Sequence, residues 1–137
     1  MIAVRIPAHA TRLRGDDGVA YGHAWSDADG VHAVDDRHGI ESVHPGEHGF
    51  VVARMVAMRR HLAPSSAAAV LDAEAMVLRI EAFELIREVD ALQGLTHRSP
   101  AVIARMKQIG DRMDAITAQL PALTSELRAA ERRAAQA

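Results

Sequence analysis

Cysteine is absent from this 137-residue chain, so neither disulfides nor thiolate metal sites are open to it. Aromatic residues are scarce: Tyr21, Trp25, Phe50 and Phe83 make up 3% of the sequence. A core drawn from Ala, Val, Leu, Ile and Met suits helix packing better than a large sandwich, which normally draws on aromatic area. Lysine is reduced to Lys107, against fifteen arginines. Charge of one sign is missing as well. The net formal charge is −2, close to −1 on each side of Pro64, which leaves no basic footprint for nucleic acid. No run reaches the roughly 18 to 20 apolar residues of a membrane-spanning helix. Met1–Pro7 has no charged stretch followed by a long apolar one, so no signal peptide is expected. Neither nucleic acid nor membrane is expected as a partner.

What the sequence has in quantity is heptad regularity. Val102, Met106, Ile109, Met113, Ile116, Leu120, Leu123 and Leu127, then Ala130 and Ala134, recur at alternating gaps of four and three. That spacing draws one apolar seam along a helix and requires another helix to cover it. A second seam precedes it. Leu71, Leu78, Leu85 and Leu92 recur every seven residues, with Ala75, Ala82 and Val89 four residues after the first three. The small residues let two helices approach closely. Val77, Ile80 and Ile86 widen this surface, so the helix is expected to have two neighbours.

Start and stop signals frame these seams. Val51–Leu62 reads as a short helix stopped by Pro64. Ser65 or Ser66 caps a long helix over about 66–93, which Gly94 closes. Leu95–Arg98 is a short link, and Ser99-Pro100 pairs an N-cap with proline at the first helical position. The last helix, about 100–134, contains Gly110 and Pro121, the second of which should kink it. The apolar register nevertheless runs through Pro121, so a continuing helix is expected.

Residues 1–53 differ in kind. They hold six of the eight histidines and most glycines, with Asp-Gly and Pro-Gly pairs at turn spacing. Three strands are expected: Ile2–Ile6, ended by Pro7; Val19–Trp25; and Val31–Val34. In the second, Val19, Tyr21, His23 and Trp25 share one face, and Ala20, Gly22 and Ala24 the other. Asp35-Asp36 is expected to cap a short helical turn presenting Ile40 and Val43. The reading is therefore an α+β fold, with a β-rich module at 1–53, a short helix and linker at 54–64 and an antiparallel helical hairpin at 65–137. A module of about 60 residues buries only about 60% of its unfolded surface, so it should lean on the helices or on a partner.

Chemistry is harder to find. His38, His44 and His48, near Asp35 and Asp36, are zinc-binding residue types, but Pro45 and Gly46 break any helical face between His44 and His48. No HExxH pattern occurs. Counting an EF-hand loop from Asp27 puts Val31 at the fifth position and His32 at the sixth, where a ligand and a glycine belong. Asp27, Asp29 and Gly30 read instead as a hairpin turn. There is no G-x-S-x-G and no glycine-rich loop opening a helix. Arg128, Arg132 and Arg133, interspersed with Glu126 and Glu131, read as a solvated helical face. No catalytic, metal or cofactor residues are assigned, and an enzyme is not expected.

Asp29-Gly30-Val31, then Val34, an acidic turn with Ile40 and Val43, and His48-Gly49-Phe50 resemble small bacteriophage head and virion-assembly proteins. The resemblance covers about residues 29–50 and implies a structural role, such as a minor capsid, cement or connector-associated protein, with no catalytic residue. The expected function is thus a subunit of a multi-copy assembly, working through contacts with itself or with capsid proteins, in the virion if phage-derived and otherwise in the cytoplasm. The alternative is a cellular helical adaptor or regulator that binds one partner helix.

Overall fold

A computed structural model describes residues 5–137. Turn chemistry organises the first half. Strands β1 (Thr11–Arg14), β2 (Ala20–Asp27), β3 (Gly30–Asp35) and β4 (Glu41–His44) form an antiparallel meander in the order β1-β2-β3-β4. Asp27 pairs with Gly30 across a two-residue turn, in which the Asp27 carboxylate accepts the Asp29 N–H at 2.8 Å. Of the strand expected over Ile2–Ile6, Ile2 and Val4 lie outside the described residues, and Arg5 and Ile6 are irregular.

Two strands sit where the sequence reading had none. β1 has Leu13 as its only apolar residue. β4 takes the place of the expected helical turn. Asp35 does organise a turn, its carboxylate accepting the His38 and Ile40 N–H groups. The chain then extends, because the outer edge of β3 needs backbone partners: Val31 pairs with His44, His32 with Val43, Ala33 with Ser42 and Val34 with Glu41. The alternation expected in β2 also breaks once. Arg14 pairs with Ala20 and Leu13 with Gly22, so Tyr21 is the extra residue of a β-bulge. The bulge turns Tyr21 inward beside Ala24, while His23 and Trp25 stay on the outer face, and Val19 precedes the strand in solvent.

Helix α1 (Gly49–Leu62) lies on the sheet with Gly49, Ala53, Val56, Ala57 and Arg60 inward. Its first residue shows how close the approach is. A Cβ on Gly49 would meet the His44 carbonyl oxygen at 2.3 Å, so no larger residue fits. Ala53 and Ala57 then pack with Leu13, Tyr21, Ala24 and Ala33. Pro64 ends the helix by forcing Ala63 into extended backbone.

Helix α2 (Ser66–Gln93) starts at Ser65, whose hydroxyl accepts the Ala68 N–H at 3.2 Å. Gly94 ends it in right-handed rather than left-handed backbone. Helix α3 (Pro100–Gln136) starts at Ser99, which accepts the Val102 N–H at 3.3 Å, and runs through Gly110 and Pro121. Val56 of α1 packs on Ala73 and Met76 of α2, which joins the sheet layer to the hairpin. The fold is α+β: a four-stranded antiparallel sheet followed by long helices.

Candidate functional site

Part of each expected seam gathers in one cluster between α2 and α3. Leu85, Ile109 and Ile116 are its buried centre, and Leu78, Leu92, Met113 and Leu120 pack around them with Ala82 and Val89. Leu71 and Leu127 pack on a second cluster made of Ala63, Ala68, Ala69 and Ala130. Leu78 and Leu123 line a cavity between the hairpin and the sheet layer, and Met106 lines a cleft with Val89 and Met113. Val102 is half-buried near the link between the two helices. Arg105 pairs with Glu88 at 2.7 Å and Arg112 with Glu81 at 2.6 Å, in keeping with the antiparallel register, outside the apolar contact.

The large apolar side chains left outside are concentrated on α1. Val51, Met55, Met58 and Leu62 are 39–68% exposed. Their spacing of four, three and four puts them on one stripe, opposite the inward face through Ala53 and Val56. Arg54 and Arg59 flank the stripe, and α1 contains no acidic residue. Arg59 is held by Asp72 of α2 through a two-pronged pair, with Nε donating to the carboxylate at 2.6 Å. That bond favours the guanidinium and raises its pKa. Phe83 and Ile86 are the most exposed apolar residues of α2.

The three histidines singled out by sequence have separate partners. His38 donates from Nε2 to the Ala63 carbonyl at 3.0 Å and accepts at Nδ1 from Ser66, tying the Asp35 turn to the α1–α2 link. His44 is buried on β4, with Nε2 at 2.8 Å from the Ser42 hydroxyl. Burial, and then the nearby Arg60, lower its pKa. His48 is exposed at the start of α1 and makes no side-chain capping bond.

A different histidine gathers charge. On the outer sheet face, His32 Nδ1 lies 2.8 Å from Glu41 Oε1 and Nε2 lies 2.7 Å from Asp27 Oδ2, with Trp25 stacked over the ring at 5.1 Å. Glu41 and Asp27 raise its pKa against the burial of its ring. Asp27, Asp29 and His32 are also the one grouping among the described residues with donor atoms close enough for a metal, within 4.8 Å of one another. The fit is poor. The carboxylates beside its two nitrogens bias the ring toward its charged form, in which it has no lone pair to give. The arrangement stitches three strands together through charge.

Sequence reasoning also missed Arg60. It is 8% exposed, and its Nε has no acceptor among the described residues. Nη1 reaches the Ile40 carbonyl at a long 3.4 Å. A signal existed, since Arg60 follows Ala53, Val56 and Ala57 in the register of the inward face. No family model, no curated protein and no solved structure matches this chain.

Proposed function

We propose that this protein is a structural subunit of a multi-copy assembly and acts through protein–protein contacts, with a bacteriophage virion the assembly that residues 29–50 point to. The outward stripe of α1 carries the proposal. Four apolar side chains in register on one helix face are an expensive surface to leave in water. Each is already partly covered, so burying the remainder stabilises by roughly 1 kcal/mol per side chain. The apolar residues on the inward face of α1 are already covered by the sheet and α2, so the stripe serves no packing need of its own chain. The flanking Arg54 and the absence of acidic residues on α1 favour an acidic partner surface. The exposed side of α2, with Phe83 and Ile86, offers a second apolar surface on another copy. Such a head-to-tail contact makes rings or open arrays.

Sedimentation of the native chain tests this. A multimer is expected, and Met55→Glu with Met58→Glu should convert it to a folded monomer. A native chain that remains monomeric at high concentration rejects self-assembly through α1.

A further inference from the structure

Where the sheet layer meets the hairpin, β4, α1, α2 and α3 line an open cleft of about 630 Å³. Its size falls within the range of small-molecule pockets, about 300–1,000 Å³. The walls are mainly apolar, with Val43, Val56, Val77, Leu78 and Leu123 prominent. Into this apolar space comes one buried cation, Arg60. A buried guanidinium normally has a carboxylate or a set of carbonyls around it, because desolvation is otherwise uncompensated. Arg60 has neither. Among the described residues Arg60 forms no ion pair at 4.0 Å or less, Nε is without an acceptor, and the single bond from Nη1 is long.

The neighbouring groups meet that need only in part. Asp35 and Glu74 both act on Arg60 through space and favour its charge, but neither lies at ion-pair distance, and Asp35 also accepts the His38 and Ile40 N–H groups. Glu74 lines the cleft yet is itself exposed to solvent. His44, also on the wall, is bonded to Ser42 and is held toward its neutral form, so it adds no second positive charge. The result is a buried cation with an incompletely bonded guanidinium on the wall of a mainly apolar cleft.

We infer that this cleft is a binding site for a small amphipathic carboxylate, its anionic head on Arg60 and its apolar chain along the α2 and α3 wall. A planar carboxylate matches the guanidinium fork, and the charge-assisted bonds would satisfy the donors that the protein leaves open. The aliphatic wall takes the chain without asking it for hydrogen bonds. This site is separate from the α1 stripe, which faces the other way, so its failure leaves the assembly reading untouched.

Calorimetric titration with octanoate on the full chain tests it, with acetate and 1-octanol as comparison probes. Octanoate is expected to bind at least tenfold more tightly than either: acetate lacks the chain, and octanol lacks the charge. Arg60→Met should weaken octanoate at least tenfold while bringing octanoate and octanol together. Glu74→Gln should tighten octanoate a few-fold by removing the opposing charge. Should Arg60→Met not fold, Ala122→Trp fills the cleft from an exposed position on α3 and should abolish binding. Equal binding of octanoate and octanol overturns the role of Arg60. Octanoate binding that survives Ala122→Trp, or no octanoate binding at millimolar concentration, overturns the site.

Discussion

Between the sheet and α1, the side chains that meet are Ala24, Ala33, Ala53 and Ala57 around Leu13 and Tyr21, whereas the α2–α3 hairpin closes on Leu85, Ile109 and Ile116. The first region is built for close approach. A helix that starts with Gly49 against the His44 carbonyl leaves room for methyl groups and little else. Each alanine buries little area, so the region relies on paired strand backbones and on Asp35, which holds two N–H groups of its turn. The hairpin works the other way. Its helices satisfy their own backbones, and large aliphatic side chains do the joining, with Arg–Glu pairs outside. One region should therefore fail when a side chain grows, the other when a side chain shrinks.

The largest effect belongs to the hairpin. Ile109 and Ile116 are each 1% exposed, and truncation to alanine leaves a cavity that a rigid helix pair closes only in part. Ile109→Ala should cost about 2–5 kcal/mol in urea unfolding, and the double variant with Ile116→Ala should cost more. Changes at Lys107, exposed and off the apolar line, should cost almost nothing. Similar losses at Lys107 and Ile109 would break the comparison on this side.

In the sheet layer the matching experiment adds volume. Ala57→Leu inserts methylenes where α1 lies against β2 and β3, and should cost about 1–3 kcal/mol through displaced backbone. Ala57→Gly removes almost no packing and should act mainly through helix propensity, by about 1 kcal/mol. If the larger residue proves neutral, the approach of α1 is looser than its alanines imply, and the contrast with the hairpin dissolves.

How much of this could be read from the chain differs between the same two regions. Heptad spacing, Ser65, Ser99-Pro100 and Pro64 announce α2 and α3 almost to the residue, because each signal acts locally within one or two turns. The sheet is set by pairing across the chain. β4 contains Glu41, Ser42 and His44, residues with no call for a strand until β3 offers an unpaired edge, and β1 has only Leu13 to mark it. The bulge at Tyr21 depends on how β1 meets β2, so strict alternation misplaces that one residue. Arg60 was visible only as an interruption in the inward register of α1. The His32 group needed three strands side by side before Asp27, Glu41 and the ring could meet.

The smallest expected effect lies on the outer sheet face and follows from sign. His32 has its pKa raised, first by Glu41 and also by Asp27, so its contribution is fully present below the unfolded histidine value of about 6.5. It is lost as pH rises through the raised folded value. His44 has its pKa lowered by burial, so the folded state favours its neutral form and loses stability as pH falls below that same unfolded value. The two histidines therefore press in opposite directions, one toward acid and one toward neutral and alkaline conditions. Asp27 adds a limit further down, since its lowered pKa holds the contact until the carboxylate protonates below the usual range. Melting curves of the native chain and of His32→Gln across pH 5 to about 9 separate them. The difference between the two proteins should shrink as pH rises, while the acid-side loss due to His44 persists in both. A constant difference across the range would mean that the Asp27–His32–Glu41 contacts hold the strands by shape rather than by charge, leaving the sheet face no different in kind from the hairpin.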